Sequence, residues 1–155
     1  MNNVQATISP SPIRRAIALS LLVLLGGLLI YQAIDTPPES LFWLGFLLIS
    51  GVLMLYGAER MRRATLARIE LHEDRVVDSN GIELCHIDNI KSVERGAFAF
   101  KPSNGFLIRL NKPLPRALAL GLWWRFGRSI GVGGVTPASQ AKFMSEMIAL
   151  RLAQD

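Results

Sequence analysis

The feature that most constrains this chain is an apolar run at residues 41–58, LFWLGFLLISGVLMLYGA, which contains 18 residues and no charge. As a helix rising about 1.5 Å per residue it would extend about 27 Å, close to the hydrocarbon thickness of a bilayer. A second uncharged run of 19 residues, 16–34, precedes it. We predict that both runs are transmembrane helices.

The two runs are joined by a short polar connection, residues 35–40, DTPPES, with two prolines and two acidic residues. So tight a connection predicts a helical hairpin, in which both helices span the membrane or neither does. One alternative is a cleaved signal peptide, with Arg14 and Arg15 before an apolar core and small residues such as Ala33 after it. The first run is long for such a core, and a second spanning run begins six residues later. Two buried helices of a soluble protein are the other alternative, but a domain of residues 60–155 has little surface to cover them.

Basic residues flank both ends of the hairpin, whereas its connection is acidic. The positive-inside rule therefore predicts an inner-membrane protein with both termini in the cytoplasm. The basic residues are Arg14, Arg15, Arg60, Arg62, Arg63 and Arg68. Gly26 and Gly27 lie at the same predicted depth as Ser50 and Gly51, and small residues at matched depth allow close helix packing. Glycine is also common in membrane helices, so this interpretation stays open.

The chain on either side of the hairpin is polar by comparison. Residues 1–12, with two prolines, are predicted to be a disordered tail, and the hairpin region comprises residues 13–59. From residue 60 we predict a soluble domain of about six or seven short antiparallel strands. Asn80-Gly81 indicates a β-hairpin, and residues 102–105 a second turn. Further strands are predicted at 87–97, 106–110, 117–122 and 128–132, with a loop or edge at 112–116. Residues 98–101 either extend the strand at 87–97 or form another short strand.

The chain ends in a predicted amphipathic helix. Thr136 is a plausible N-cap and Pro137 suits the first helical position. The expected apolar stripe has spacings of three and four and comprises Phe143, Met144, Met147, Ile148, Leu150 and Leu152. The predicted fold class is thus a two-helix transmembrane hairpin followed by a mainly antiparallel β domain with one C-terminal α-helix.

This layout resembles the bacterial membrane-anchored PH-like (pleckstrin-homology-like) proteins, by architecture rather than by a motif. The resemblance implies a small barrel at residues 60–155, with the last helix covering one open end. Lipid-binding PH domains carry basic residues on their first hairpin. Here that turn reads His72-Glu73-Asp74-Arg75, so the resemblance does not imply phosphoinositide recognition of that kind.

The most unusual stretch is GLWWRFGRSIGVGG, residues 121–134, in which aromatic and basic residues interleave. In one interpretation these side chains contact the membrane interface, with indoles at headgroup depth and guanidinium groups beside phosphates. In a second they fill the core of the barrel, and in a third they contact a protein partner. The candidate membrane or partner contacts are Trp123, Trp124, Arg125, Phe126 and Arg128.

Charge is segregated along the chain, which has a net charge of +5. Residues 95–145 contain eight basic residues and no acidic one. This predicts either a positive face suited to anionic lipid or an ordinary solvated surface. No recognition motif accompanies the charge, so we do not expect nucleic acid as a partner.

No set of catalytic residues stands out. Cys85 and His86 are neighbours, but in a strand their side chains would point to opposite faces. His72, His86 and Asp88 make a weak metal site, and Gly131, Gly133 and Gly134 a weak phosphate loop without Walker or dinucleotide spacing. We expect no cofactor, no metal and no enzymatic activity. A single cysteine also excludes a disulfide within the chain.

The sequence therefore favours a membrane-anchored cytoplasmic module that binds inner-leaflet lipid or a membrane-protein partner. The alternative is a structural accessory subunit of a larger membrane complex, with no ligand of its own.

Overall fold

A computed structural model of the chain describes residues 3–95 and 103–154. The chain divides into two compact units, a helical unit, Pro12–Arg63, and a β unit formed by the chain before and after it. The helical unit is therefore an insertion in the sequence of the β unit. The predicted strand at residues 98–101 lies outside the described residues.

The helical unit consists of α1, Pro12–Asp35, and α2, Leu41–Ala64. Both helices are long and apolar enough to cross a membrane, as predicted. Only 11% of each apolar window is buried within the protein, whereas a core helix of a soluble protein is mostly buried. α2 continues to Ala64, past the predicted end of the apolar run, where Glu59 pairs with Arg62 at 2.7 Å and with Arg63 at 2.6 Å. Pairs at these spacings stabilise a helix.

Gly26 and Gly51 mark a close approach of α1 and α2. A Cβ atom on Gly51 would lie 2.6 Å from Ile30 Cγ1 and 2.9 Å from the Gly26 carbonyl oxygen. A Cβ atom on Gly26 would lie 3.0 Å from the Gly51 carbonyl oxygen. Gly27 has no atom within 4 Å of its Cβ position, so it does not take part. The close-packing interpretation is therefore confirmed for one glycine of each helix.

We expect Gly51→Ala to weaken the hairpin, because its methyl group has no room beside Ile30 and the Gly26 backbone. Overpacking of this kind costs about 1–3 kcal/mol. The matched control is Gly27→Ala, which places the same methyl group in open space and gains up to about 1 kcal/mol of helix propensity. Denaturation of the full chain by SDS, followed by circular dichroism, measures both. Equal effects of the two substitutions would contradict the packing.

The β unit contains two antiparallel sheets. The first has the strand order β1-β2-β3-β4 and the second β5-β6-β7. One turn of 3-10 helix, Ile87–Asn89, connects them, and α3, Ala138–Leu152, closes the chain. The strands are Ala6–Ile8, Ile69–Leu71, Arg75–Asp78, Glu83–His86, Ile90–Glu94, Phe106–Ala119 and Trp123–Val132. Neither sheet closes on itself within the described residues, so the PH-like barrel stays a prediction.

Strand β1 shows that the predicted disordered tail is ordered at Ala6–Ile8. Ala6 pairs with Leu71 and Ile8 with Ile69, and Ile8 is completely buried. The pattern of buried Ala6 and Ile8 around Thr7 is too short to be recognised as a strand in sequence. Its hydrogen-bonding partner, β2, lies beyond the whole helical unit, so nothing local indicates that it will be ordered.

The core of the β unit joins both sheets to α3. α3 contributes Ala141, Met144 and Ile148, whereas Phe143 is 53% exposed and Leu150 60% exposed. The predicted broad stripe is therefore too wide, because only one side of the helix packs against the sheets. The largest completely or almost completely buried side chains include Trp123, Phe106, Ile8, Ile69, Leu71, Leu84, Leu107, Ile108, Leu122, Ile130, Met144 and Ile148.

The predicted start of this helix is also wrong by one residue. α3 begins at Ala138, and its N-cap is Pro137, which makes no side-chain capping bond. Thr136 is buried instead, and its hydroxyl group lies 3.5 Å from the carbonyl oxygen of Asn104. The hydroxyl group thus contacts the turn that contains Asn104 and does not cap the helix.

The turns were predicted more accurately than the long strands. The Asn80-Gly81 hairpin is confirmed, with Gly81 at φ 83°, and Asn104 in the second turn has φ 55°. Residues 112–116 were predicted as a loop or an edge. The loop is wrong, since they lie within β6, whereas the edge agrees with their position beyond the pairing of β5 with β6, which reaches Leu110. The pairing of β6 with β7 is irregular between Arg109 and Leu114 and again before Ala117. Proline cannot donate to a sheet ladder, which explains both the irregularity and the loop-like sequence.

Candidate functional site

The candidate contacts lie on strand β7, which bends back on itself. The amide of Gly133, just beyond its end, donates a 2.9 Å hydrogen bond to the carbonyl of Leu122, just before its start. The Trp124 indole packs against Gly131, where a Cβ atom would lie 2.3 Å from the ring. Gly127, midway between these two residues, has φ 57°, a left-handed conformation that favours glycine. Residues 123–126 and 128–132 thus form two limbs of one bent strand.

Trp123 and Arg125 are structural residues of the first limb. Trp123 is 2% exposed, and its Nε1 atom lies 3.4 Å from Asp78 Oδ2. Arg125 Nη1 donates to the carbonyl oxygens of Glu83 at 2.6 Å and Leu84 at 2.9 Å. The guanidinium group therefore joins β7 to β4, the edge strand of the other sheet. For Trp123 the core interpretation is correct, whereas Arg125 is half-buried, with its guanidinium group bonded to backbone carbonyls and its side chain at the margin of the depression described next.

The opposite side of this limb is exposed, because successive side chains of a strand alternate. Phe126 is 57% exposed, and the Arg116 guanidinium carbon lies 4.3 Å above its ring centre, within cation–π distance. Leu118, the cross-strand partner of Trp124, is 63% exposed. These side chains line a shallow depression of about 370 Å³. We call Arg116, Leu118, Trp124 and Phe126 the contact face.

Only Trp124 and Phe126 of this face were among the candidate contacts predicted from sequence. Arg116 and Leu118 belong to β6, in segments predicted as a loop and as a separate strand. An antiparallel hairpin between 114–119 and 123–127 would have placed them opposite Phe126 and Trp124. The short turn at residues 120–122 was the sequence feature that could have indicated this hairpin. Arg128, in contrast, lies on the second limb and lines a different depression.

The structure gives no support to the weak catalytic, phosphate and metal sites considered from the sequence. Cys85 is buried, and burial raises the pKa of its thiol to about 12, so it stays protonated at neutral pH. The amides of Gly133 and Gly134 donate to the carbonyls of Leu122 and Ser103, so they are not open to a phosphate. Within residues 3–95 and 103–154, no three His, Cys, Asp or Glu side chains are grouped as a metal site.

Comparison of the chain with models of known protein families, with curated proteins and with solved structures found no match. The function must therefore be inferred from the geometry of the molecule itself.

Proposed function

We propose that this protein is a membrane-anchored module whose contact face engages anionic lipid of the inner leaflet. The observation that supports this most strongly is the grouping of exposed Arg116, Leu118 and Phe126 around half-buried Trp124 on one depression of a bent hairpin. Indole rings are favoured at headgroup depth, and apolar side chains gain by leaving water. A basic residue near an anionic surface contributes about 1 kcal/mol. The grouping has the composition that a lipid interface selects.

The short links between the β unit and the two apolar helices support a membrane role for the small contact face. Only residues 9–11 separate β1 from α1, and only residues 65–68 separate α2 from β2. The β unit is thus tethered twice to the proposed membrane helices. A tether raises the effective concentration of a weak binding surface, so a few side chains suffice for engagement.

The pairing of β1 with β2 also bears on topology. These strands belong to one sheet and lie on either side of the hairpin in sequence. Both ends of a spanning hairpin must then lie on the same side of the membrane, independently of charge. The flanking arginines favour the cytoplasmic side, so we propose that both termini and the β unit are cytoplasmic.

A spin label on the contact face tests the lipid proposal in the full chain. Leu118→Cys is labelled with a nitroxide and the protein is placed in nanodiscs of phosphatidylcholine, with or without phosphatidylglycerol. We expect collision with a water-soluble nickel chelate to fall several-fold in the anionic discs. Buried Cys85 does not compete for the label, and a label at exposed Ala149 on α3 serves as the control position.

The substitution Arg116→Gln, made in the labelled protein, should lower the ratio of membrane-bound to unbound contact face about fivefold. This is the equivalent of about 1 kcal/mol. Lys142→Gln, which removes an exposed charge from α3, should not. Equal accessibility of Leu118 in both kinds of disc would overturn the proposal. Protection of Leu118 in native membranes alone would favour the alternative, an accessory subunit with a protein partner.

A further inference from the structure

A second depression lies on the outer side of the β5-β6-β7 sheet, separate from the contact face. Its volume is about 400 Å³, and three basic side chains from three neighbouring strands line it together with one acidic side chain. The lining residues are Lys91, Ser92, Glu94, Arg109, Leu110, Asn111 and Arg128. Arg109 and Arg128 belong to the basic stretch at residues 95–145, whereas Lys91 precedes that stretch in sequence.

Arg109 is held in place at the centre of this group. Its Nη1 atom donates a 2.8 Å hydrogen bond to the hydroxyl oxygen of Ser129 on β7. Its Nε atom lies 3.4 Å from Glu94 Oε1 on β5. A guanidinium group has five N–H donors, so most of them remain available after these two contacts. Because the side chain is still 45% exposed, a ligand can reach these donors.

The side chains of Lys91 and Arg128 make no hydrogen bond or ion pair with any other residue of the described ranges. Both are exposed, and Glu94, the only carboxylate among the described residues that line the depression, already contacts Arg109. Three positive charges therefore face one negative charge across a small concave surface. Like charges that line one depression repel each other, and an anion between them would offset that cost.

We propose that this depression binds the phosphate group of a phosphomonoester. The charge excess of two matches a dianionic phosphate, and an oriented guanidinium group recognises phosphate oxygens in a bidentate manner. Serine hydroxyl and asparagine amide groups at the rim add neutral donors. The phosphate could belong to a lipid headgroup or to a soluble metabolite, and the experiment separates these two sources.

The test uses the full chain in phosphatidylcholine nanodiscs, titrated with inorganic phosphate at constant ionic strength by isothermal calorimetry. We expect saturable binding that weakens about tenfold in Arg109→Gln, because a charge-assisted bidentate contact is lost. Arg109→Lys should lose part of the affinity, since it keeps the charge but not the fork. Lys91→Gln and Arg128→Gln should each weaken binding several-fold, and Lys142→Gln is the control of equal charge.

Repeating the titration in discs that contain phosphatidic acid identifies the source. If the lipid abolishes binding of inorganic phosphate, the site takes a headgroup; if binding persists, it takes a soluble compound. Absence of saturable binding, or an equal loss in Lys142→Gln, would overturn the proposal. Should Arg109→Gln fail to fold, the Lys91 and Arg128 variants decide, since those side chains have no partner among the described residues. The accessibility of Leu118 is measured separately, so this proposal and the contact face can fail independently.

Discussion

Replacing Ile8 with aspartate is expected to unfold the β unit, although Ile8 lies before both membrane helices in sequence. Its side chain is completely buried and its strand pairs with β2. A charge placed there without a partner costs several kcal/mol, and losses above about 4 kcal/mol are typical of such changes. Thermal unfolding of the full chain in detergent, followed by near-ultraviolet circular dichroism of buried Trp123, measures the effect.

Val4→Asp is the matched control, because it makes a similar change in the same segment at a side chain that is 45% exposed. We expect it to leave the transition almost unchanged. If Ile8→Asp unfolds at the same temperature as Val4→Asp, strand β1 does not belong to the folded unit. The result also bears on the signal-peptide alternative, because cleavage near Ala33 would remove β1 from the sheet.

An impermeant thiol reagent is expected to label Thr36→Cys in intact cells but to label Gln154→Cys only after lysis. Thr36 is exposed in the connection between α1 and α2, and Gln154 is exposed at the end of the chain. Six arginines flank the two ends of the hairpin in sequence, whereas its connection carries two acidic residues. Moving a single arginine to the centre of a membrane helix costs about 3 kcal/mol on insertion scales, so the expected difference is close to all-or-none.

The unmodified chain is the background control for this experiment. Cys85 is buried and its thiol pKa is raised to about 12, so the native protein should not react before unfolding. The opposite labelling pattern would place the β unit outside the cytoplasm and would remove the inner-leaflet role of the contact face. Labelling of both positions in intact cells would contradict the hairpin.

Features that depend on neighbouring residues in sequence were predicted well. The two apolar helices follow from composition alone, because a bilayer selects for length and the absence of charge. The Asn80-Gly81 hairpin follows from local backbone preference, and Gly81 adopts the expected positive φ. The Gly26–Gly51 approach was also visible as small residues at matched depth, although sequence could not show that Gly27 faces away.

Features that depend on distant partners were missed or left open. Three residues of β1 became ordered because β2 hydrogen-bonds to them from beyond the helical unit. The side chains of the aromatic and basic stretch at residues 121–134 have different surroundings, and these also depend on strands that are distant in sequence. Trp123 and Arg125 contact β3 and β4, whereas Phe126 is 57% exposed and Trp124 packs against Gly131.

Local sequence thus specified that the chain has an apolar hairpin and a β domain, since charge, length and turn preference act over a few residues. The division of residues 123–128 into core, contact face and basic depression required the folded chain. Strand alternation assigns side chains to two sides, but it does not say which side is buried. That choice follows from the pairing of β7 with β6, the bend at Gly127, and the approach of β4 to Arg125.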